Sequence, residues 1–92
     1  MYKINEITNI IAQDTWEYID SKGKKITSKI IIGRPRRGKK DWFCPVSIEH
    51  FTPRIVPACG LGPVDSLMNA MVLVKSFFDL KKDKFTDQLR GK

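Results

Sequence analysis

The sequence predicts an α+β fold in which one C-terminal helix packs on one face of an antiparallel β-meander of three to four strands. Three observations predict it. Apolar and polar residues alternate over residues 10–32 and 42–48, as they do in strands that bury one face. A turn sequence at residues 20–23 divides the first of these stretches. Between residues 63 and 80 the apolar residues recur every three or four positions, which is the period of an α-helix.

The chain has the size and composition of one small domain. Its 92 residues are 41% hydrophobic and 10% aromatic, which is enough apolar material for one folded core. We expect a single domain over residues 1–92, with its core within about 10–80 and a charged tail at 81–92. The longest apolar run, residues 70–74, is too short to span a bilayer, and no secretory signal is visible. The sequence therefore predicts a cytoplasmic protein with no membrane partner.

The first two strands are predicted to form a hairpin. The sequence Asp20-Ser21-Lys22-Gly23 is typical of a type I turn in which Gly23 takes the left-handed conformation. This turn sets the register of the two strands. The predicted opposite pairs are Asp20 with Lys24, Tyr18 with Ile26, Trp16 with Ser28, and Ala12 with Ile32. The predicted inward residues are Trp16, Tyr18, Ile26, Ile30 and Ile32, and the predicted outward residues are Glu17, Lys25, Thr27 and Lys29.

A loop, a third strand and a short fourth strand follow. Residues 33–40 are predicted to be a loop, because Pro35 and two glycines interrupt both periodicities. In the third strand, residues 42–48, Pro45 has no N–H to donate, so it is predicted to mark a bulge or an edge position. The predicted inward residues of that strand are Trp42, Cys44, Val46 and Ile48. A fourth strand is expected around residues 54–56.

The helix is predicted to begin at Pro63 and to end near Leu80. Proline suits the first helical position, and Asp65 complements the positive end of the helix dipole. The predicted core stripe of the helix consists of Val64, Leu67, Met68, Met71, Val74 and Phe78.

The sequence contains three short motifs, Gly33-Arg-Pro35, Asp41-Trp42-x-Cys44-Pro45 and Val64-Asp65-Ser66-Leu67-x-x-Ala70. Together they resemble a family of small uncharacterised bacterial domains. They are similar to the G-x-P turn, the W-x-C strand and the V-D-S-L helix start of that family, and the similarity covers residues 26–80. The resemblance implies an antiparallel sheet with one helix. It implies no activity, because none is known for the family.

The positive charge of the chain is concentrated in one window. No acidic residue lies between Asp20 and Asp41, yet nine of the 17 Lys and Arg residues lie there. The net charge of +7 comes from this window, because the eight basic residues outside it face ten acidic ones. Such a field favours nucleic acid, another polyanion or an acidic protein as partner. The predicted polyanion-binding residues are Lys25, Lys29, Arg34, Arg36, Arg37, Lys39 and Lys40. The alternative is that these charges are solvated and keep the domain soluble.

Aromatic rings beside these cations would favour nucleic acid, because bases stack on them. Phe43 is the aromatic residue predicted on the polar face, since Trp16, Tyr18 and Trp42 are predicted to point inward. The sequence therefore lacks the exposed aromatic pattern of RNA-recognition sheets.

A second hypothesis concerns one flank of the helix. Leu73, Phe77 and Leu80 lie beside the predicted core stripe, so they widen the apolar arc of the helix. This flank predicts a protein-interaction subunit or a homodimer. The alternative is that Phe85 and Leu89 of the tail cover the flank within the same molecule.

No combination of residues predicts catalysis, a metal centre or a cofactor. His50 and Cys59 suggest nucleophilic chemistry, because Cys59 precedes a helix N-terminus, but no third group orients them. Cys44 is predicted to be a small buried hydrophobic residue. The segment Gly60-Leu61-Gly62 is shorter than the established phosphate loops, and no lysine follows it. One histidine and two separated cysteines leave no set of zinc or calcium ligands. We therefore expect a binding protein rather than an enzyme.

Overall fold

The computed structural model describes the backbone of residues 6–90 and the side chains of residues 6–81. The elements in this range are β1 (Ile10–Ile19), β2 (Lys25–Gly33), β3 (Arg36–Arg37), β4 (Trp42–Ile48), β5 (Val56–Gly60) and α1 (Pro63–Arg90). All strand pairs are antiparallel, and α1 packs against one face of the sheet. The predicted α+β fold is confirmed.

The sheet is a meander with β4 at its centre. Val46 of β4 pairs with Ile32 of β2 on one edge and with Val56 of β5 on the other. β3 pairs with the first residues of β4, on the same edge as β2. β1 pairs with the other edge of β2. The order across the sheet is therefore β1, β2 with β3, β4 and β5, which is also the order along the chain.

The β1–β2 hairpin has the predicted turn and register. The pairs are Ala12 with Ile32, Trp16 with Ser28, and Tyr18 with Ile26. Gly23 has a φ angle of +81°, and its N–H donates to the carbonyl of Asp20 at 3.0 Å. The carboxylate of Asp20 also accepts hydrogen bonds from the N–H groups of Lys22 and Lys24, at 2.9 and 2.8 Å. These bonds fix the turn and, with it, the register.

The fourth strand lies further along the chain than predicted. It covers Val56–Gly60, and within it Pro57 lies opposite Pro45 of β4. Neither proline has a backbone N–H group, so the pair suits a position in the ladder where the two residues form no hydrogen bond with each other. Pro45 lies in the central strand, contrary to the predicted bulge or edge position. On the edge of β4 that faces β2 and β3, Val46 pairs with β2 and Phe43 pairs with β3. Pro45 lies between these two pairings.

The segment predicted as a loop contains the short strand β3. Arg36 pairs with Phe43, and Arg37 pairs with Trp42. The N–H of Gly38 donates to the carbonyl of Asp41 at 2.7 Å, so a two-residue loop, residues 39–40, joins β3 to β4. The chain therefore resumes its strand path after Pro35 instead of leaving the sheet.

The helix is longer than predicted and turns a different side to the sheet. α1 continues to Arg90, so residues 81–90 are helical in their backbone. The predicted packing of Phe85 and Leu89 concerns side chains outside the described residues. The buried residues of α1 are Ser66, Ala70, Val74 and Phe77, with Leu67, Leu73 and Phe78 partly buried beside them. Val64, Met68 and Met71 were predicted to be inward, but they are exposed.

Close contact between α1 and β5 explains this rotation. A Cβ atom on Gly60 would lie 2.4 Å from the backbone nitrogen of Ser66, so the two backbones touch. The hydroxyl of Ser66 donates back to the carbonyl of Pro63 at 3.0 Å, so no long side chain separates helix and strand. Ser66 and Ala70 fit this contact, whereas a methionine side chain would not. Periodicity could not predict this choice, because α1 carries apolar residues on most of its circumference.

Phe77 lies at the centre of the core. Its side chain has no exposed surface, and its ring centroid lies 5.2 Å from that of Phe51 and 5.9 Å from that of Tyr18. Trp16 and Phe78 pack beside it with ring centroids 4.3 Å apart. The predicted inward strand residues that are buried are Tyr18, Ile30, Ile32, Cys44, Val46 and Ile48.

Candidate polyanion-binding surface

The side chains that point away from the helix lie in rows across the sheet. Residues that pair across antiparallel strands point to the same side. At the hairpin end of the sheet, Glu17 pairs with Lys25. At the opposite end Phe43 pairs with both Arg36 and Cys59, so these three residues form a row over β3, β4 and β5. The two ends of this outer face differ in their charge.

Carboxylates accompany the two predicted binding residues at the hairpin end. The ammonium nitrogen of Lys25 lies 3.5 Å from the carboxylate of Glu17. Glu49 lies beside Lys29: its N–H donates to the Lys29 carbonyl at 2.9 Å, and its carboxylate accepts the Lys29 N–H at 3.2 Å. These carboxylates partly cancel the positive potential at this end.

The opposite end of the sheet carries cations that form no ion pair with a described carboxylate, although Asp41 and Glu6 line pockets together with them. We call these cations the basic end; they are Arg34, Arg36, Lys39 and Lys40. All four are exposed. Among the side chains of residues 6–81, the ion pairs are Lys25 with Glu17 and Lys75 with Asp79, so none involves the basic end. Ion pairs with described carboxylates therefore do not neutralise these cations.

Arg36 is held in place by an aromatic ring. Its guanidinium carbon lies 5.7 Å from the centroid of the Phe43 ring, which is the geometry of a cation–π contact. Phe43 lies on the outer face as predicted, but it is buried, with 7% of its surface exposed. It therefore orients a cation rather than offering a ring on which a base could stack.

Arg37 does not belong to this surface, contrary to the prediction. It follows Arg36 in β3 and pairs with Trp42, and successive strand residues point to opposite sides. Its side chain consequently leaves the sheet on the helix side. The seven predicted residues thus separate into two at the hairpin end, one on the other face, and four at the basic end.

A groove of about 820 Å³ begins at the basic end and follows β5. Lys39, Lys40 and Arg54 supply its cations, and Asp41 supplies one carboxylate. The remaining lining residues are Pro53, Ile55, Val56, Pro57 and Cys59. Arg54 was not predicted, since it lies outside the basic window and was assigned to the fourth strand. Pairing of β5 with β4 places Arg54 at the far end of this groove: Gly60 lies opposite Trp42, beside the Lys39–Lys40 tip, whereas Arg54 precedes Val56, which lies opposite Val46.

The N-terminal segment lies over the same face near Arg34. The N–H of Arg34 donates to the carbonyl of Asn9 at 2.7 Å. A Cβ atom on Gly33 would lie 2.6 Å from both Ile7 and Pro45, so Ile7 rests directly on this glycine. The segment thereby fixes the backbone from which Arg34 projects.

Cys59 does not have the character of a nucleophile. Partial burial raises the pKa of its thiol, and the nearby Asp41 carboxylate raises this pKa further by its charge and by a hydrogen bond. The shift is opposite to the decrease expected from a following helix N-terminus, and it keeps the sulfur protonated at neutral pH. The pKa of the Cys44 thiol is also raised by burial.

His50 lies far from Cys59. Cys59 pairs with Phe43 near the start of β4, whereas His50 follows the last residue of that strand, Ile48. The five residues from Phe43 to Ile48 span about 16 Å at ~3.3 Å per residue. The structure therefore does not bring the pair together.

The turn before the helix is occupied by the protein itself. The N–H of Leu61 donates to the carboxylate of Asp65 at 2.8 Å. A phosphate on the Gly60-Leu61-Gly62 segment would have to displace this carboxylate. Among the described residues, no three His, Cys, Asp or Glu side chains are grouped as metal ligands. Within the same residues, no helix joins sufficient length to sufficient hydropathy for a membrane span.

The predicted interaction flank is not a single surface. Phe77 is wholly buried, Leu73 packs partly against the core, and Leu80 is 68% exposed. The rotation of α1 that exposes Met68 is the same rotation that buries Phe77.

Three comparisons, with models of protein families, with curated proteins and with solved structures, gave no match. The resemblance of the three motifs to a bacterial family therefore stays a prediction.

Proposed function

We propose that this chain is a small non-enzymatic binding module that holds nucleic acid, or another polyanion, at its basic end. The observation that carries the proposal is the difference between the two ends of the outer face. Lys25 is paired with Glu17, and the Glu49 carboxylate binds the backbone N–H of Lys29, whereas the four cations of the basic end form no ion pair with a described side chain. Exposed cations that are not engaged in ion pairs are what a phosphate backbone neutralises.

The geometry favours contacts with phosphates over contacts with bases. Lys39 and Lys40 occupy the tip of a tight hairpin, and Arg36 is oriented by Phe43. The row that joins Arg36 to Cys59 crosses two strand spacings, about 10 Å, so Arg36 and the groove can contact one extended ligand. Because Phe43 is buried, we expect affinity that depends weakly on base sequence.

The test compares two charge reversals at opposite ends of the sheet. Lys39→Glu with Lys40→Glu changes the tip of the β3–β4 hairpin, and Lys22→Glu with Lys24→Glu makes the same change of charge in the β1–β2 turn. Fluorescence anisotropy measures binding of labelled single- and double-stranded DNA and RNA. We expect the first variant to lose at least about 30-fold in affinity and the second to lose much less, since loss of a phosphate contact is local.

Equal losses in the two variants would show that net charge alone attracts the polyanion, without a site. Absence of binding by the unmodified protein at low salt would rule out the proposal. Circular dichroism of both variants checks that the fold is kept. Arg36→Glu provides an independent third variant, which we expect to weaken binding without changing the hairpin tip.

A further inference from the structure

The side of α1 that points away from the sheet is apolar. We call it the outer helix face; it consists of Val64, Met68, Met71 and Val72 of α1, together with Leu61 in the turn before the helix, whose N–H donates to Asp65. The exposed fractions of these five residues are, in the same order, 69%, 61%, 39%, 61% and 92%. The four helical residues recur at three- and four-residue steps, so they lie side by side, opposite the buried Ser66, Ala70 and Phe77.

A helix that packs on one side alone normally carries polar residues on the other. Over its first turns α1 has apolar residues on both sides instead. Isolated exposed apolar residues need no explanation, but a contiguous group of this size marks an interaction surface. Methionine supports that interpretation, since its flexible side chain adapts to an opposing surface.

Charge indicates which partner the outer helix face accepts. The charged residues that flank it are Asp65, Lys75 and Asp79, and Lys75 is paired with Asp79 at 2.9 Å. In a chain with a net charge of +7, this face is close to neutral. Two copies can approach here without bringing their cations together, whereas an acidic partner would be attracted to the basic end.

We propose that the outer helix face is the contact between two copies of this chain. A two-fold, antiparallel contact centred on Met68 places Val64 of one copy against Val72 of the other, because these residues lie four positions on either side of Met68. The proposal does not depend on polyanion binding.

The available area indicates a weak dimer. Burying one aliphatic side chain corresponds to ~60–120 Å² of apolar surface, so the five residues contribute roughly 300–600 Å² per copy. Two copies together then bury up to about 1,200 Å², at the lower end of specific interfaces. We therefore expect dissociation in the micromolar range and a mass that depends on concentration.

Sedimentation of the full chain, from about 5 to about 500 µM, tests the contact directly. We expect the mass to rise from 10.6 kDa towards twice that value. Met68→Glu and Met68→Lys should both stay monomeric, and Thr27→Glu, on the exposed face of the sheet, should behave like the unmodified protein. A constant 10.6 kDa, or unchanged association of both Met68 variants, would overturn the proposal.

Cross-linking provides a second measurement that does not depend on weakening the contact. In a Cys59→Ser background, Met68→Cys should give a covalent dimer with a short bis-maleimide, because each Met68 meets its own copy at the two-fold axis. Thr27→Cys is the matched control and should stay monomeric. Equal cross-linking of the two variants would count against a contact at this face.

Discussion

At the scale of single residues, Gly60 and Ser66 determine how the helix meets the sheet. Their backbones touch, and the serine hydroxyl turns back on its own helix rather than towards the strand. This contact requires small residues, because nothing separates the two elements. The identity of two small residues therefore decides which large residues of α1 enter the core.

Replacing Gly60 by alanine tests this contact. The added Cβ would lie 2.4 Å from the Ser66 nitrogen, and a backbone atom cannot yield as a flexible side chain can. We expect the free energy of unfolding to fall by about 2–3 kcal/mol, as it does when a close-packed contact is overfilled. Urea denaturation measures this change.

Gly62→Ala is the matched control. Gly62 lies two residues away and has open space where a Cβ would be, so its substitution should change stability by less than ~1 kcal/mol. Equal effects of the two substitutions would show that the close approach of helix and strand does not limit stability.

At the scale of elements, the two proposals rest on β3 and on the outer helix face. β3 has two residues, but its pairing with β4 holds Arg36 over Phe43 and positions the hairpin tip that carries Lys39 and Lys40. The rotation of α1 buries Phe77 and exposes Met68. Both features follow from how elements pack together rather than from the propensities of their own residues.

Phe77 and Leu80 both belong to the predicted interaction flank. The rotation of α1 predicts that replacing them by alanine changes stability by very different amounts. Phe77→Ala removes a ring that contacts Phe51 and Tyr18, so we expect unfolding to become easier by about 3–5 kcal/mol. Leu80→Ala changes a residue that is 68% exposed, and its effect should stay within about 0.5 kcal/mol.

Thermal and urea denaturation of both variants measure the difference. A Phe77→Ala protein that fails to fold agrees with the prediction, and the conservative Phe77→Leu variant then supplies a measurable intermediate value. Similar stability of the Phe77→Ala and Leu80→Ala proteins would contradict the observed packing of α1.

At the scale of the whole molecule, charge and apolar surface are separated. The molecule is 48 Å long, and the hairpin end and the basic end lie at opposite ends of β2. Cations gather at one end of the outer face, whereas the apolar residues of the outer helix face lie on the other side of the sheet. A polyanion and a second copy of the chain could therefore bind to the same molecule without competing.

Salt dependence of binding is the prediction that belongs to this scale. If the four cations of the basic end each neutralise one phosphate of duplex DNA, log K should fall with log [salt] with a slope of about −3.6. Affinity would then drop about 150-fold between about 50 and about 200 mM salt. Anisotropy titrations over this range measure the slope.

Association through the outer helix face should instead be almost independent of salt, since apolar burial is not screened. Sedimentation at the same two salt concentrations provides that comparison. A shallow slope for nucleic acid, near −1, would show that the basic end does not act as a unit.

The amino-acid sequence alone determined the fold class, the β1–β2 register and the inward face of the strands. These follow from local chemistry: Asp20 and Gly23 make the turn, and strict alternation leaves one register that buries Tyr18 and Ile30. It also located the excess of positive charge. All of these properties depend on residues that are close in the sequence.

Only the tertiary structure decided where the charge acts and which side of α1 is buried. Pairing of β5 with β4 makes one groove from the Lys39–Lys40 tip to Arg54, and alternation within β3 sends Arg37 to the other face. The helix is apolar on several sides, so its hydrophobic period could not choose among them. The contact between Gly60 and Ser66 determines which side is buried. The free energy of close packing depends on the shapes of both surfaces, so the sequence of the helix alone cannot predict it.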